Sequence, residues 1–362
     1  MNKKILVAIL TAAILMISVV GGWACVVGAV YTMTNAPAPA GNEVVIFNRA
    51  DDGLLTKKGS ISTQGLGSGV GLDTLGSQGS LVLSGDHLWL LAVNAGSNEI
   101  SVFQVLPEGL KVVDKVGSGG VSPVSLTIFH DLVYVLNAGS PNIAGFNLSH
   151  KGQLTPLAGS TRALVSTGAF AQVGFDPRGE KLIVTDKGDS EILVFSVDYD
   201  GLPSMNPVTS PSNGVTPFGF IFDQWGHLVV VEVTTDAVSS YSILHNDTLN
   251  VISPSVTNGQ KASCWIVGNE LGYIFTANPG SSTISAYKID AENGKLVLLN
   301  GTAGSGKSPL DVAIPMNGRF LYALDPGNGG IDMFQIENNG SLTGLGTVAG
   351  GLSIFAQGIA AR

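Results

Sequence analysis

Basic residues are scarce in this sequence, and nowhere do they cluster. Lysine and arginine together number 18 against 27 acidic residues in 362, and arginine occurs only at positions 49, 162, 178, 319 and 362. Without Lys3 and Lys4 the balance is 16 to 27, a net of −11. That excludes a nucleic-acid groove, and an anionic membrane surface would repel the chain. Cysteine is limited to Cys25 and Cys264, which fall in distant repeats, so the fold does not depend on a disulfide. Long apolar runs of helical period are missing after the first twenty residues. What remains apolar is short and β-branched, as in Leu182-Ile183-Val184 and Leu228-Val229-Val230-Val231, and such runs are strands. Asp52-Gly53, Asn293-Gly294, Asn317-Gly318 and Asn339-Gly340 punctuate them as turns. The class is all-β.

Against these absences stands a repeat. Six times an Asn, Asp or Glu is followed six residues on by Ile or Val and nine residues on by Phe or Tyr. The six are Asn94–Ile100–Phe103, Asn137–Ile143–Phe146, Asp186–Ile192–Phe195, Glu232–Val238–Tyr241, Asn278–Ile284–Tyr287 and Asp325–Ile331–Phe334. The anchors lie 43, 49, 46, 46 and 47 residues apart, the length of a four-stranded propeller blade. A seventh, irregular copy comes first: Val30–Asn35 followed by Glu43–Phe47, with the turn lengthened within Ala36–Ala40. The expectation is a seven-bladed β-propeller of four-stranded blades. Blade seven reads Leu310–Ile314, Phe320–Leu324, Ile331–Ile336 and Leu342–Val348.

The last strand-like sequence, Phe355–Ala361, has nothing after it, while blade one lacks an inner strand. The C-terminal strand is expected to complete blade one and close the ring, removing two raw sheet edges. From Asn35 to Asn94 is 59 residues. The excess lies in Thr63–Gly79, which is glycine-rich and expected to loop over one face.

Residues 1–24 form a targeting segment: Lys3 and Lys4, an apolar run from Ile5 to Val20, and a small-x-small site at Gly22-Trp23-Ala24. The propeller then occupies residues 25–362 as a single domain, exported, and secreted, periplasmic or at the cell surface. A membrane is involved only if the segment stays uncleaved or Cys25 is lipidated, and Gly22 makes a poor lipobox. Four Asn-x-Ser/Thr sequons, at Asn147, Asn246, Asn300 and Asn339, arise readily in such turns and mean nothing in a bacterial host. A monomer is expected.

Gly301–Ser308 spells the phosphate-binding pattern G-x-x-x-x-G-K-S. That motif works between a strand and a helix, but here Pro309 and an inner strand follow, so it is an inter-blade loop. No motif asks for a cofactor. Loops joining second and third strands share one face, the near face, with those entering each inner strand. By this register all five histidines sit in far-face turns: His87, His130 and His227 between first and second strands, His150 and His245 between third and fourth. Arg162 and Arg362 are the only arginines placed to visit the channel.

The near face instead offers acids and amides. Asn and Asp at the anchor hold hairpin backbone as Asx-turns, which explains their repetition without function. Glu232 is the exception, since its longer side chain makes that turn poorly. Glu232 and Asp311 are the candidate catalytic carboxylates. Gln172, Asp186, Trp265 and Asn278 are candidate ligand-binding residues, with Gln78 and Gln357 in places similar to Gln172. Asp186, Glu232, Asp311 and Asn278 would also suit a hard cation such as Ca²⁺, though no metal motif is present.

"AVYTMTN" (29–35), "AVNAGSNEISVF" (92–103), "VYVLNAG" (133–139), "AQVGFDPRG" (171–179), "TPFGF" (216–220) and "SPLDVAI" (308–314) resemble the seven-bladed lactonase superfamily, which includes 6-phosphogluconolactonase and 3-carboxymuconate cyclase, and above all its secreted bacterial members. The resemblance covers essentially residues 25–362. It implies a lactone hydrolase or cycloisomerase using an Arg-His pair on an inner strand and a Glu at the end of a second strand. The inner strands here lack the pair, and only Glu232 has a counterpart. The main expectation is therefore a non-catalytic module binding a small molecule, glycan or protein on the near face. The alternative is a lactone hydrolase or muconate-type cycloisomerase using channel-mouth carboxylates, with Glu232 or Asp311 as base and Gln172 polarising the carbonyl.

Overall fold

The computed structural model describes residues 25–165 and 168–362; the targeting segment expected at 1–24 lies outside them. Seven antiparallel sheets surround one axis. Blades two to seven are consecutive along the chain, and blade one is ordered Gln357–Ala361, Val26–Met33, Glu43–Ala50, Leu55–Ser62. Blade three alone splits its outer strand into Leu154–Pro156 and Arg162–Ala163, both pairing with Asn142–Leu148.

The repeat dictates this arrangement through strand geometry. Each anchor ends a second strand and pairs with the residue five places on, as Asn94 with Glu99 and Asp325 with Gly330, leaving a four-residue hairpin. The residues six and nine places after the anchor are separated by an odd number, so they point to opposite faces of the third strand. Both are buried: Ile100 and Phe103 are 0% exposed, as are Ile192 and Phe195. A blade with two apolar faces needs a neighbour on each, which only a closed ring supplies. Opposite five of the aromatics (Phe47, Phe103, Tyr241, Tyr287, Phe334) the outer strand shifts register by a bulge, which bends and twists the blade rim.

The ring closes as the sequence predicts. Val30 pairs with Ala361, Tyr31 with Ala360 and Thr32 with Ile359, and Ala29 and Arg362 exchange both backbone hydrogen bonds at 3.2 and 2.9 Å. Cys25 and Cys264 are free thiols, the first exposed and the second buried. Residues 301–305 belong to the outer strand Leu296–Ser305. The backbone amides of Lys307 and Ser308 donate to Asp325, so the phosphate-loop spelling has no phosphate-loop geometry. No helix among the described residues is long and apolar enough to cross a membrane.

Candidate functional site

Inner strands begin at the near face and end at the far face, so their first residues ring one mouth of the channel and their last residues the other. The near mouth is filled. Residues 63–79 run over that face, and residues 75–79 touch five other blades. Leu75 N–H donates to Gln357 Oε1 at 3.0 Å, and Ser77 Oγ donates to Val124 O at 2.8 Å. Gln78 N–H donates to Ala171 O, and the Gln78 amide exchanges two hydrogen bonds with the Ile266 backbone at 3.0 and 2.9 Å. Trp265 Nε1 donates to Ser77 O at 2.9 Å. Gly219 lies so close that a Cβ there would meet Gln78 Oε1 at 2.3 Å.

Beneath this plug the channel holds a cavity of about 470 Å³. Gln78, Gln172 and Asp311 are its polar lining at the near end, and its rim at the far end is Leu83, Ile128, Phe175, Pro177 and Phe222. Gln172 binds the Phe220 backbone through both amide atoms, at 3.0 and 2.7 Å. It ties blades four and five together as Gln78 ties two and six.

Asp311 is 4% exposed and receives one hydrogen bond, from Gly358 N–H to Oδ2 at 2.8 Å. Burial pushes its carboxyl up to about 8, the Gly358 donor opposing and the neighbouring charge of Asp73 adding to the rise. Asp73 lies in the plug and accepts from Gln357 Nε2 at 2.6 Å and Gly76 N–H at 3.1 Å. Its burial raises it to about 6, against the pull of Lys187. Lys187 Nζ donates to Gly76 O and lies 5.1 Å from the Phe218 ring centroid. Its burial lowers the ammonium, Asp73 opposing. Asp311 on the channel, with Asp73 and Lys187 in the plug beside it, sets two carboxyls of separated proton affinity near one ammonium, and clusters of this kind are candidates for functional sites.

The remaining candidates sit elsewhere. Glu232 is fully buried and accepts from Gly214 N–H at 2.7 Å, from the hydroxyls of Ser255 at 2.8, Tyr241 at 3.2 and Ser212 at 3.3 Å. Four protein donors engage the carboxylate, three of them on Oε1, so Glu232 staples the entry to blade five, as its shorter counterparts staple theirs. Asp186 Oδ1 accepts from Gly188 and Asp189 N–H, the Asx geometry expected of an anchor. Asn278 is bound to Ser263, Thr283 and Ser285. Trp265, 1% exposed, packs edge-on to Phe218 at 5.4 Å and offers no free face. Asp186, Glu232 and Asn278 each belong to a different blade corner and none lines the channel. Among the described residues no three His, Cys, Asp or Glu side chains gather as a metal site.

Two expectations about arginine are corrected. Arg162 donates to the carbonyls of Pro203, Ser204, Gly159 and Thr161 at the rim of blade three. Arg362 ends the closing strand on the far side and donates to Leu106 O. Neither reaches the channel. All five histidines lie in far-face turns, as read from the register.

Asp73 and Lys187 escaped the sequence reading. Lys187 did leave a trace: the residue after the anchor is Ala36, Ala95, Ala138, Val233, Pro279 or Pro326 in the other blades, and lysine only in blade four. Asp73 left none, because nothing periodic governs the glycine-rich segment that carries it.

The family described as "Lactonase, 7-bladed beta-propeller" matches residues 237–350. A protein named "Probable 6-phosphogluconolactonase" from Arthroderma benhamiae is 21% identical over 285 residues, 70% of this chain and 71% of its own length. A 6-phosphogluconolactonase of Formosa agariphila is 22% identical over 247 residues, 62% of this chain and 70% of its own. Among solved structures, the periplasmic gluconolactonase of Pseudomonas aeruginosa superposes with a TM-score of 0.70 at 15% identity, covering 90% of this chain and 98% of that one. These likenesses overturn the expectation of a non-catalytic binding module, since the matching family and all three relatives carry lactonase names. By its seven blades and by these relatives, the chain is similar to the lactonase/6-phosphogluconolactonase superfamily.

Proposed function

We propose that the protein is an exported lactone hydrolase whose acid and base are Asp311 and Asp73. The observation that carries the reading is the Asp311 carboxyl, buried at the polar end of the 470 Å³ cavity with its affinity for a proton raised to about 8. At neutral pH that group is chiefly a neutral acid, while Asp73, at about 6, is chiefly a carboxylate. Asp73, in the plug behind the near end of the cavity, takes up through an intervening water the proton released as a water oxygen bonds to the lactone carbonyl carbon. The tetrahedral intermediate then collapses, the ring C–O bond breaks, and Asp311 gives its proton to the departing ring oxygen. The product is a hydroxy acid, and solvent resets both carboxyls. Lys187 acts on Asp73 through its charge and holds Gly76, the residue to which Asp73 is itself bonded.

Export is supported by the targeting pattern at residues 1–24 and by the periplasmic location of one structural relative. The test is hydrolysis of δ-gluconolactone and unsubstituted γ- and δ-lactones by the purified protein. General acid–base groups contribute about 10²- to 10⁴-fold, so Asp311→Asn and Asp73→Asn are expected to lower kcat by at least about 100-fold without lowering Tm at pH 7. Absence of turnover on every lactone, or full activity in both variants, overturns the assignment.

A further inference from the structure

The channel's shape and lining say more about the substrate than the acids do. Among the described residues, Asp311 is the sole ionisable side chain in the cavity lining, and no Lys, Arg or His joins it. A phosphate dianion placed there would lose its hydration with no cation in exchange, a heavy penalty in an apolar surround. Beyond Asp311, Gln78 and Gln172 the side chains of the wall are apolar apart from Thr127: Val82, Leu83, Ile128, Phe175, Phe222 and Val312. The near mouth is closed by the plug, so the way in is across the far rim.

That rim does not end abruptly. Pro177 and Phe222 line the channel and also two surface hollows. One is a groove of about 660 Å³ running to Trp225, and the other a cleft of about 330 Å³ lined by Ile221, Ile274 and Ile289. The groove toward Trp225 is lined by Asp176, Arg178, Glu180, Lys181, His227 and His245, so the apolar track that continues from the cavity onto the far face is the cleft between blades five and six.

Resting on the hydrolase reading, we infer that the substrate is an uncharged lactone bearing an apolar chain, which enters from the far face. Its ring meets the polar end at Asp311 and its chain lies along Phe222 toward the blade-five to blade-six cleft.

The test is a series of γ-butyrolactone, γ-octalactone and γ-dodecalactone beside δ-gluconolactone and 6-phosphogluconolactone, with calorimetry on the matching unreactive γ-lactams. Apolar burial of successive methylenes predicts kcat/KM rising at least about tenfold from the four-carbon to the twelve-carbon lactone, and lactam affinity rising in parallel. Phe222→Asp is expected to flatten both slopes. A flat or falling chain-length profile, a preference for the phosphorylated lactone, or slopes unchanged in Phe222→Asp overturn this inference while leaving the hydrolase standing. Chain-dependent lactam binding without turnover of any lactone supports the channel assignment and overturns the hydrolase instead.

Discussion

Gln357 donates from its side-chain amide to Asp73 across 284 positions of sequence, at 2.6 Å, while the backbone amide of the next residue, Gly358, donates to Asp311 at 2.8 Å. The strand that closes the ring is thus also the strand that holds the two acids. Closure and the proposed chemistry share one element, and the consequences can be measured.

The first consequence is a pH–rate profile with two limbs. Turnover in the proposed mechanism needs Asp73 ionised and Asp311 protonated. The profile of kcat/KM should rise through about pH 6, fall through about pH 8 and peak between them. Measurement on the best lactone substrate checks this, and Asp311→Asn should remove the alkaline limb along with most of the rate.

Stability should run the opposite way from that of proteins held by salt-bridged carboxylates. Burial raises Asp311 to about 8, Asp332 to about 7 beside Asp325, and Asp73 to about 6, all from 3.8. Between pH 4 and 8 the folded chain therefore holds protons that the unfolded chain has released, and stability falls as pH rises. Tm by calorimetry should be lower at pH 9 than at pH 5. Asp311→Asn should show a shallower decline and exceed the wild type at pH 9; an equal slope in the two proteins would refute the linkage.

Glu232→Ala separates a staple from a catalyst. Removing an acceptor of four hydrogen bonds leaves Gly214 N–H and three hydroxyls to find new partners. A buried unsatisfied group costs about 1–3 kcal/mol. Chemical denaturation should show a loss of at least about 2 kcal/mol, while kcat at a temperature well below Tm stays within about threefold of wild type, the acids of the channel being intact.

Gly358→Ala tests the closing strand. Gly358 has φ of +82°, and a Cβ would meet Ser80 Oγ at 2.6 Å and Leu81 Cβ at 2.9 Å. The strained backbone costs about 1–3 kcal/mol and displaces the amide that holds Asp311, so both Tm and kcat should fall. A variant matching wild type in both would show that closure and the acid site are independent.

Much of this was legible in the residues. Asn94, Asp325 and their counterparts announced the hairpins, and Ile100 with Phe103 announced two buried faces per blade. The sequence alone assigns the histidines to far-face turns, because His87, His130 and His227 fall just before the strand that ends at an anchor, and His150 and His245 fall thirteen residues after one. Asp311 could be placed at the channel by the same register. Glu232 could not be judged: its length singled it out, yet only the positions of Ser212, Tyr241 and Ser255 show that the longer side chain meets a longer gap.

The sequence by itself determined the number of blades, their strand order and the pairing of tail with head. Those properties follow from local ladders and apolar periodicity, which repeat at a spacing any reader of the chain can count. Only the tertiary structure decided which mouth is open, and that Asp73, Lys187 and Asp311 belong to one site. The glycine-rich segment at 63–79 has no period to read, and its place is set by contacts with five blades at once. Such contacts exist only after the ring has closed.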